Sequence, residues 1–345
     1  MKHNRLLFGI CGFLLLALFI TGCTKDKPLI TPDMTEYSLS VPMGFPEPEI
    51  PADNALTVNR VALGKKLFFD PILSKDSTVS CGSCHLPAKG FADPKQFSVG
   101  VGDSVGTRNA PPVFNLAYAH SFFWDGGVPT LELQSIAPIQ NPLEMHLSLN
   151  EAVQRLKEHP QYPTLFKQAY QSEPNLYAMT RAIASFERTL ISGNSPYDQY
   201  QNQGNNSALN DSQKRGKDIF FGEKAECFHC HTGFNFTDET FQNNGIYENY
   251  KDEGRYRITN QVNDIGKFKV PTLRNIALTA PYMHDGSFST LSEVIDHYAS
   301  GGKNHPNKSN LIRQFDLSAQ EKEDLIHFLE SLTDQSFINN PAHQP

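Results

Sequence analysis

A chain of 345 residues has room for two domains of ordinary size, and a hydrophobic content of 39% suits a soluble globular body. With 37 acidic against 30 basic side chains the net charge is −7, an acidic balance that argues against nucleic acid as a partner.

The N-terminus reads as an export signal. Lys2 and Arg5 precede a mostly apolar run from Leu6 to Ile20, which is short for a membrane-spanning helix. The run ends in Ile20-Thr21-Gly22-Cys23, which resembles a bacterial lipobox, with cleavage before Cys23 and lipid on its sulfur. An uncleaved anchor helix is the alternative; in both cases the folded part is exported and membrane-tethered. Cleavage of residues 1–22 takes two positive charges and no acid away, leaving −9. Residues 23–54 carry Pro28, Pro32, Pro42, Pro46, Pro48 and Pro51 and are expected to form an extended tether between membrane and body.

From Thr57 to Phe69 the apolar spacing predicts a short helix. It leads to Cys81-Gly82-Ser83-Cys84-His85, the C-x-x-C-H spacing that captures a c-type haem. Two thiols three positions apart reach the vinyl groups on one edge of the porphyrin, and the adjacent histidine supplies the proximal nitrogen. A zinc site would want more ligands at short range, and a redox dithiol has no use for the trailing histidine. Residues 86–112 are Gly-, Pro- and Asp-rich and read as loop wrapped on the haem. A capping box, Ser148 to Glu151, starts a helix ending near Pro160. Leu176, Met179, Ile183, Phe186 and Leu190 then mark one face of a strong helix.

The polar stretch Gln199–Asp211 places a boundary between a haem domain at 55–205 and a second at 206–345. The second repeats the plan: a helix around Gln213–Phe221, the motif Cys227-Phe228-His229-Cys230-His231, a polar loop, and helices capped at Thr290 and Ser318. Four cysteines belong to the motifs, Cys23 to the lipid and Cys11 to the signal, so none remains for a disulfide. Strand patterns are scarce. The expected fold is mainly α, two c-type cytochrome-like haem domains packed face to face.

Further blocks carry a resemblance: Thr107 to Asn115, Phe123-Trp124-Asp125-Gly126, Leu131 to Gln134, Asn141 to Met145, Lys269 to Asn275 and Thr279 to Gly286. Over residues 55–335 the chain resembles the bacterial dihaem cytochrome c peroxidases, including the MauG-type enzymes. The resemblance implies that the N-terminal haem is the hydrogen peroxide site, with Gln134 and Glu144 in its distal pocket. Heterolytic O–O cleavage needs a proton moved between the two oxygens, which a carboxyl group can shuttle while an amide orients the peroxide. Out of that context both would pass for surface residues. The family match makes Trp124, the only tryptophan, an electron bridge between the haems rather than a plain core residue. It also implies a calcium ion held by Asn109 and the backbone oxygens of Thr279 and Pro281. An asparagine by itself is as readily a turn residue.

Two positions depart from the typical peroxidases. Val101 stands where they carry a histidine that caps the N-terminal haem, and valine has no ligand atom. Tyr298 stands where they carry a methionine ligand to the second iron, which is the MauG-type arrangement; His297 and Met283 are rival ligands. His120, four residues before Trp124, is a substitute cap to be considered. The expected function is reduction of hydrogen peroxide with electrons from a small periplasmic cytochrome or copper protein. A MauG-like oxidation of side chains on a partner protein and a non-enzymatic dihaem electron carrier are the alternatives.

Overall fold

Thr57 ends an extended stretch, and its side-chain oxygen accepts the Arg60 N–H, so Val58–Phe69 (α1) begins with a capped first turn. The structure, a computed structural model, describes residues 34–345. The signal segment and Cys23 lie outside the described residues. After α1 come Cys81–Cys84 (α2), Leu131–Gln134 (α3), Ile136–Gln140 (α4), Leu149–Glu158 (α5), Tyr162–Tyr170 (α6), Leu176–Thr189 (α7) and Pro196–Asn202 (α8). The second half adds Asp211–Phe220 (α9), Tyr256–Thr259 (α10), Leu291–Ala299 (α11), Ala319–Glu330 (α12) and Gln335–Ile338 (α13). Strand among the described residues is one antiparallel pair, Phe241–Gln242 (β1) and Phe268–Lys269 (β2), with Phe241 opposite Lys269. The fold is mainly α. No helix of the described residues is long and apolar enough to cross a membrane.

The caps anticipated at Ser148, Thr290 and Ser318 form, the last two as reciprocal boxes with Glu293 and Glu321. Helices α6 and α8 were not expected. Pro163 and Pro196 lie in their first turns, where a missing N–H costs nothing, so proline there opens a helix rather than breaking one. Helix α8 therefore takes up the start of the polar stretch at 199–211.

Each half is built on a crossed helix pair with a glycine at the crossing. In the first, α1 lies on α7 so closely that a Cβ on Gly64 would stand 1.8 Å from the Ala182 carbonyl oxygen. In the second, α9 lies on α12, and a Cβ on Gly216 would stand 1.9 Å from the Asp324 carbonyl oxygen. The apolar faces predicted from spacing fill these crossings: Leu63, Leu67, Met179 and Ile183 in one, Phe220, Leu325 and Phe328 in the other, all buried. Each such side chain contributes about 1.5–3 kcal/mol by leaving water.

A second element is also duplicated. Bridges Phe122 to Val128 and Tyr282 to Phe288 close matching turns, with Gly126 and Gly286 both left-handed. Thr130 and Thr290 then precede α3 and α11 in matching places.

The proline-rich segment does not stand off from the body from Met34 onward. Tyr37 N–H bonds Leu56 O at 3.1 Å, and Phe45 packs edge-on to Tyr118 and under the Arg274 guanidinium, 4.6 Å away. Asn54, fully buried, donates to Glu132 Oε1 at 2.9 Å. Proline fixed the extended backbone; the aromatic contacts then hold it down. Arg274 in turn makes a paired, buried contact with Asp198 of α8 (2.7 and 2.8 Å), tying the halves together.

Candidate active site

Helix α2 is a single turn, which brings Cys81 and Cys84 onto one side. The Ser80 N–H donates to Ser83 Oγ at 3.0 Å and closes this turn. His85 follows as its C-cap, and its Nδ1 lies 2.9 Å from the Phe91 carbonyl. A nitrogen facing a carbonyl must carry the proton, so Nε2 keeps its lone pair for a metal. The second motif is built alike on a tight turn over Cys227–His229, with His231 Nδ1 3.1 Å from Phe236 O.

Burial pushes all four thiols up, Cys227 to about 12 and Cys230 to about 11, the opposite of what a redox dithiol needs. Burial also lowers both histidines, keeping them neutral as ligands must be. Among the described residues no three His, Cys, Asp or Glu side chains converge as a zinc cage requires. Paired thiols beside an oriented, neutral imidazole fit a covalently attached haem at both places.

Cys81, Cys84 and His85 open into a cavity of about 620 Å³ whose lining includes Trp124, Gln134 and Glu144. Glu144 is held by Asn141, whose Nδ2 donates to Oε1 at 2.6 Å, while burial raises its carboxyl above the usual range. Gln134 ends α3 at the same cavity. Trp124 Nε1 donates to Asn109 O at 2.8 Å, and its own carbonyl accepts from Lys269 N–H at 2.8 Å. It thereby joins the first cavity to the second half.

Among the cavity's acids that the sequence reading missed, one is unpaired. Glu187 of α7 is 3% exposed, its Oε2 has no hydrogen-bond partner, and burial pushes it up to about 8. Its position four residues after Ile183, on the apolar face, was the available signal. A carboxyl whose folded value is raised stabilises the fold below its unfolded value, and that contribution is lost as pH climbs toward 8. Glu187→Gln is therefore expected to gain stability over the wild type, on the order of a few kcal/mol, between pH 5 and 8. Thermal melts of the haem-loaded proteins across that range check this; parallel pH profiles would refute it.

Val101 is 9% exposed within the apolar core, and its N–H bonds Glu144 O at 2.8 Å. His120 is exposed and lines an adjoining cavity of about 470 Å³, which shares Leu116, Ala119 and Phe122 with the first. Tyr298 lies late in α11, and burial pushes its hydroxyl up to about 12. Met283 Sδ accepts from Asn244 Nδ2 at 3.2 Å, and His297 Nε2 lies 3.0 Å from Asn244 O. Asn109 donates through Nδ2 to Lys95 O and Gln96 O, at 3.1 and 3.2 Å. Gln96 in turn adjoins Pro281 beside Gly286, and Thr279 borders Gly90.

Residues 58–207 match the profile of the family described as di-haem cytochrome c peroxidase, and residues 213–333 match cytochrome c. The methylamine utilization protein MauG of Methylorubrum extorquens is 39% identical over 330 residues, 94% of this chain and 92% of that protein. Cytochrome-c peroxidase IdrP1 of Pseudomonas sp. (strain SCT) is 37% identical over 322 residues, 84% of each chain. A crystal structure of a MauG-like protein associated with microbial copper homeostasis superposes with a TM-score of 0.84 at 37% identity, covering 89% of this chain and 99% of that one.

Proposed function

Since the chain belongs to the di-haem cytochrome c peroxidase family, with two c-type haems as its cofactors, we propose that it reduces hydrogen peroxide to water with two electrons and two protons. The electrons come from an external small cytochrome or copper protein. Cys81, Cys84 and His85 would hold the peroxide-reactive haem, and Cys227, Cys230, His231 and Tyr298 would hold the electron-transfer haem. When bound, the haem irons supply peroxide coordination and one-electron redox chemistry.

The chain's own residues handle the protons. Glu144 is the observation that carries the proposal: an acid raised by burial, lining the cavity, with Oε1 occupied by Asn141 and Oε2 left to give and take a proton. The Gln134 amide orients the peroxide. Trp124, bonded to both halves through its indole N–H and its carbonyl, bridges the two sites for electrons. Asn109 with the backbone oxygens of Thr279 and Pro281 would supply neutral oxygen donors of the kind calcium takes. Residues 1–22 are removed on export and Cys23 carries the lipid, so the body at 55–205 and 206–345 works on the periplasmic side of a membrane.

Val101 has no ligand atom and sits in the apolar core, which supports a first site open in the oxidised protein; His120, on the adjoining cavity, is the rival cap. Mixing oxidised protein with peroxide and reduced cytochrome c should give immediate cytochrome oxidation. A requirement for pre-reduction, with a low-spin bis-nitrogen EPR signal from the first haem, would overturn the open site. No peroxide consumption would leave an electron carrier. Tyr298 at the MauG-type position supports one other reading, oxidation of side chains on a partner protein, which consumes peroxide without oxidising the cytochrome.

A further inference from the structure

Helices α3 and α7 send side chains into two cavities, and the two sets are bonded very differently. Glu132 and Arg188 line the adjoining cavity of about 470 Å³, where they pair at 2.5 and 3.0 Å, and Asn54 adds a bond to Glu132 at 2.9 Å. Ser135, three residues after Glu132, and Glu187, next to Arg188, line the first cavity instead. Ser135 is 2% exposed and Glu187 3%. Neither Ser135 Oγ nor Glu187 Oε2 meets a hydrogen-bonding partner. Among the described residues four buried side-chain atoms are left so, and two of them belong to this one cavity.

A buried polar atom left unpaired is costly, so two on one lining call for a ligand that bonds them. Water suits both, since a hydroxyl donates or accepts and a carboxyl does either according to its proton. A haem carboxylate suits them less. Cys81 packs against the same apolar core as Phe186 and Leu190, on either side of Glu187, which sets this end of α7 where the thiols attach. The propionates of a haem leave from the edge opposite its vinyl groups.

The two halves of peroxide reduction need protons differently. Moving a proton between the oxygens at Glu144 releases one water and consumes no proton. The second oxygen leaves as water only as two electrons and two protons arrive, and Glu144 is one acid for two protons.

We propose that Glu187 Oε2 and Ser135 Oγ bind ordered water at the first cavity, and that Glu187 supplies through it a proton taken up in the second half of peroxide reduction. This rests on the reading of the first site as the peroxide site. Burial favours the protonated carboxyl, which is the form that can give, and the charged groups beside it, Arg188 and Glu132, are already paired with each other. The proton is replaced from solvent between turnovers.

The test uses the oxidised, haem-loaded protein. A crystal structure should show water within hydrogen-bond distance of both atoms; a haem carboxylate on Glu187 Oε2 would overturn the proposal. Infrared spectra should contain the carbonyl stretch of a protonated, buried carboxyl that moves in heavy water and is missing from Glu187→Gln. The same band undiminished in that variant counts against it. In stopped-flow with peroxide and reduced cytochrome c, Glu187→Gln should cleave O–O at the wild-type rate and slow the second half by about 10²-fold, with a larger solvent isotope effect. Ser135→Ala should slow the same half less, and Glu187→Asp should recover part of the rate. Second-half rates equal to the wild type in Glu187→Gln and Ser135→Ala would refute the supply of protons; if Glu187→Gln fails to load haem, Ser135→Ala decides. A wild type that consumes no peroxide refutes the reading of the site, whereas one that does, beside variants kinetically identical to it, refutes only the role of Glu187.

Discussion

Glu144→Gln is expected to slow peroxide reduction by about 10²–10⁴-fold while both haems stay attached, the usual scale for a lost proton shuttle. The amide keeps the size of the carboxyl and can still meet Asn141 across the 2.6 Å contact, so the cavity keeps its shape. What it loses is the ionisable carboxyl, whose pKa burial raises. Stopped-flow absorbance after mixing with peroxide separates the steps. Peroxide binding should persist at wild-type affinity while O–O cleavage becomes slow. Cleavage at the wild-type rate would leave Glu144 as a structural residue braced by Asn141.

Replacing Cys227 and Cys230 together by alanine has the other large effect. Thioether attachment is covalent, so acid-acetone extraction should leave two haems on the wild type and one on the variant. Turnover with reduced cytochrome should fall to background, because electrons entering at the second half have no iron to pass through. The first cavity lies among residues of α2, α3 and α4 and should keep its own haem. One haem on the wild type, or a zinc ion, would defeat the proposal at its base.

What the sequence disclosed, and what it hid, divides by range. Ser148, Thr290 and Ser318 announced their helices because a cap and its partner lie three residues apart, within reach of the local chain. The two C-x-x-C-H motifs were legible for the same reason. Residues 34–54 were expected to belong to an extended tether between membrane and body, because proline content reports backbone extension and says nothing of where the segment lies. Phe45 meets Tyr118, Phe234 and Arg274, all far along the chain. Glu187 was hidden differently. An acid beside Arg188 reads as half of an ion pair, but Arg188 pairs with Glu132 at 2.5 and 3.0 Å, leaving Glu187 Oε2 alone. Gln134 and Glu144 were legible only through the family resemblance, since nothing in their own spacing brings them to one cavity.

The duplicated turn and helix carry an evolutionary consequence. Tyr298 is the eighth residue after Thr290, and the eighth after Thr130 is Pro138, which lines the first cavity. A pyrrolidine ring has no lone pair to offer iron, while a phenol does. On the proposed ligation, two matching turn-and-helix units serve two trades through the content of one matching position. Where that position is mute, small molecules can reach the metal; where it speaks, the metal is closed to them and left to conduct. Selection could then tune the conducting copy without disturbing the reacting one.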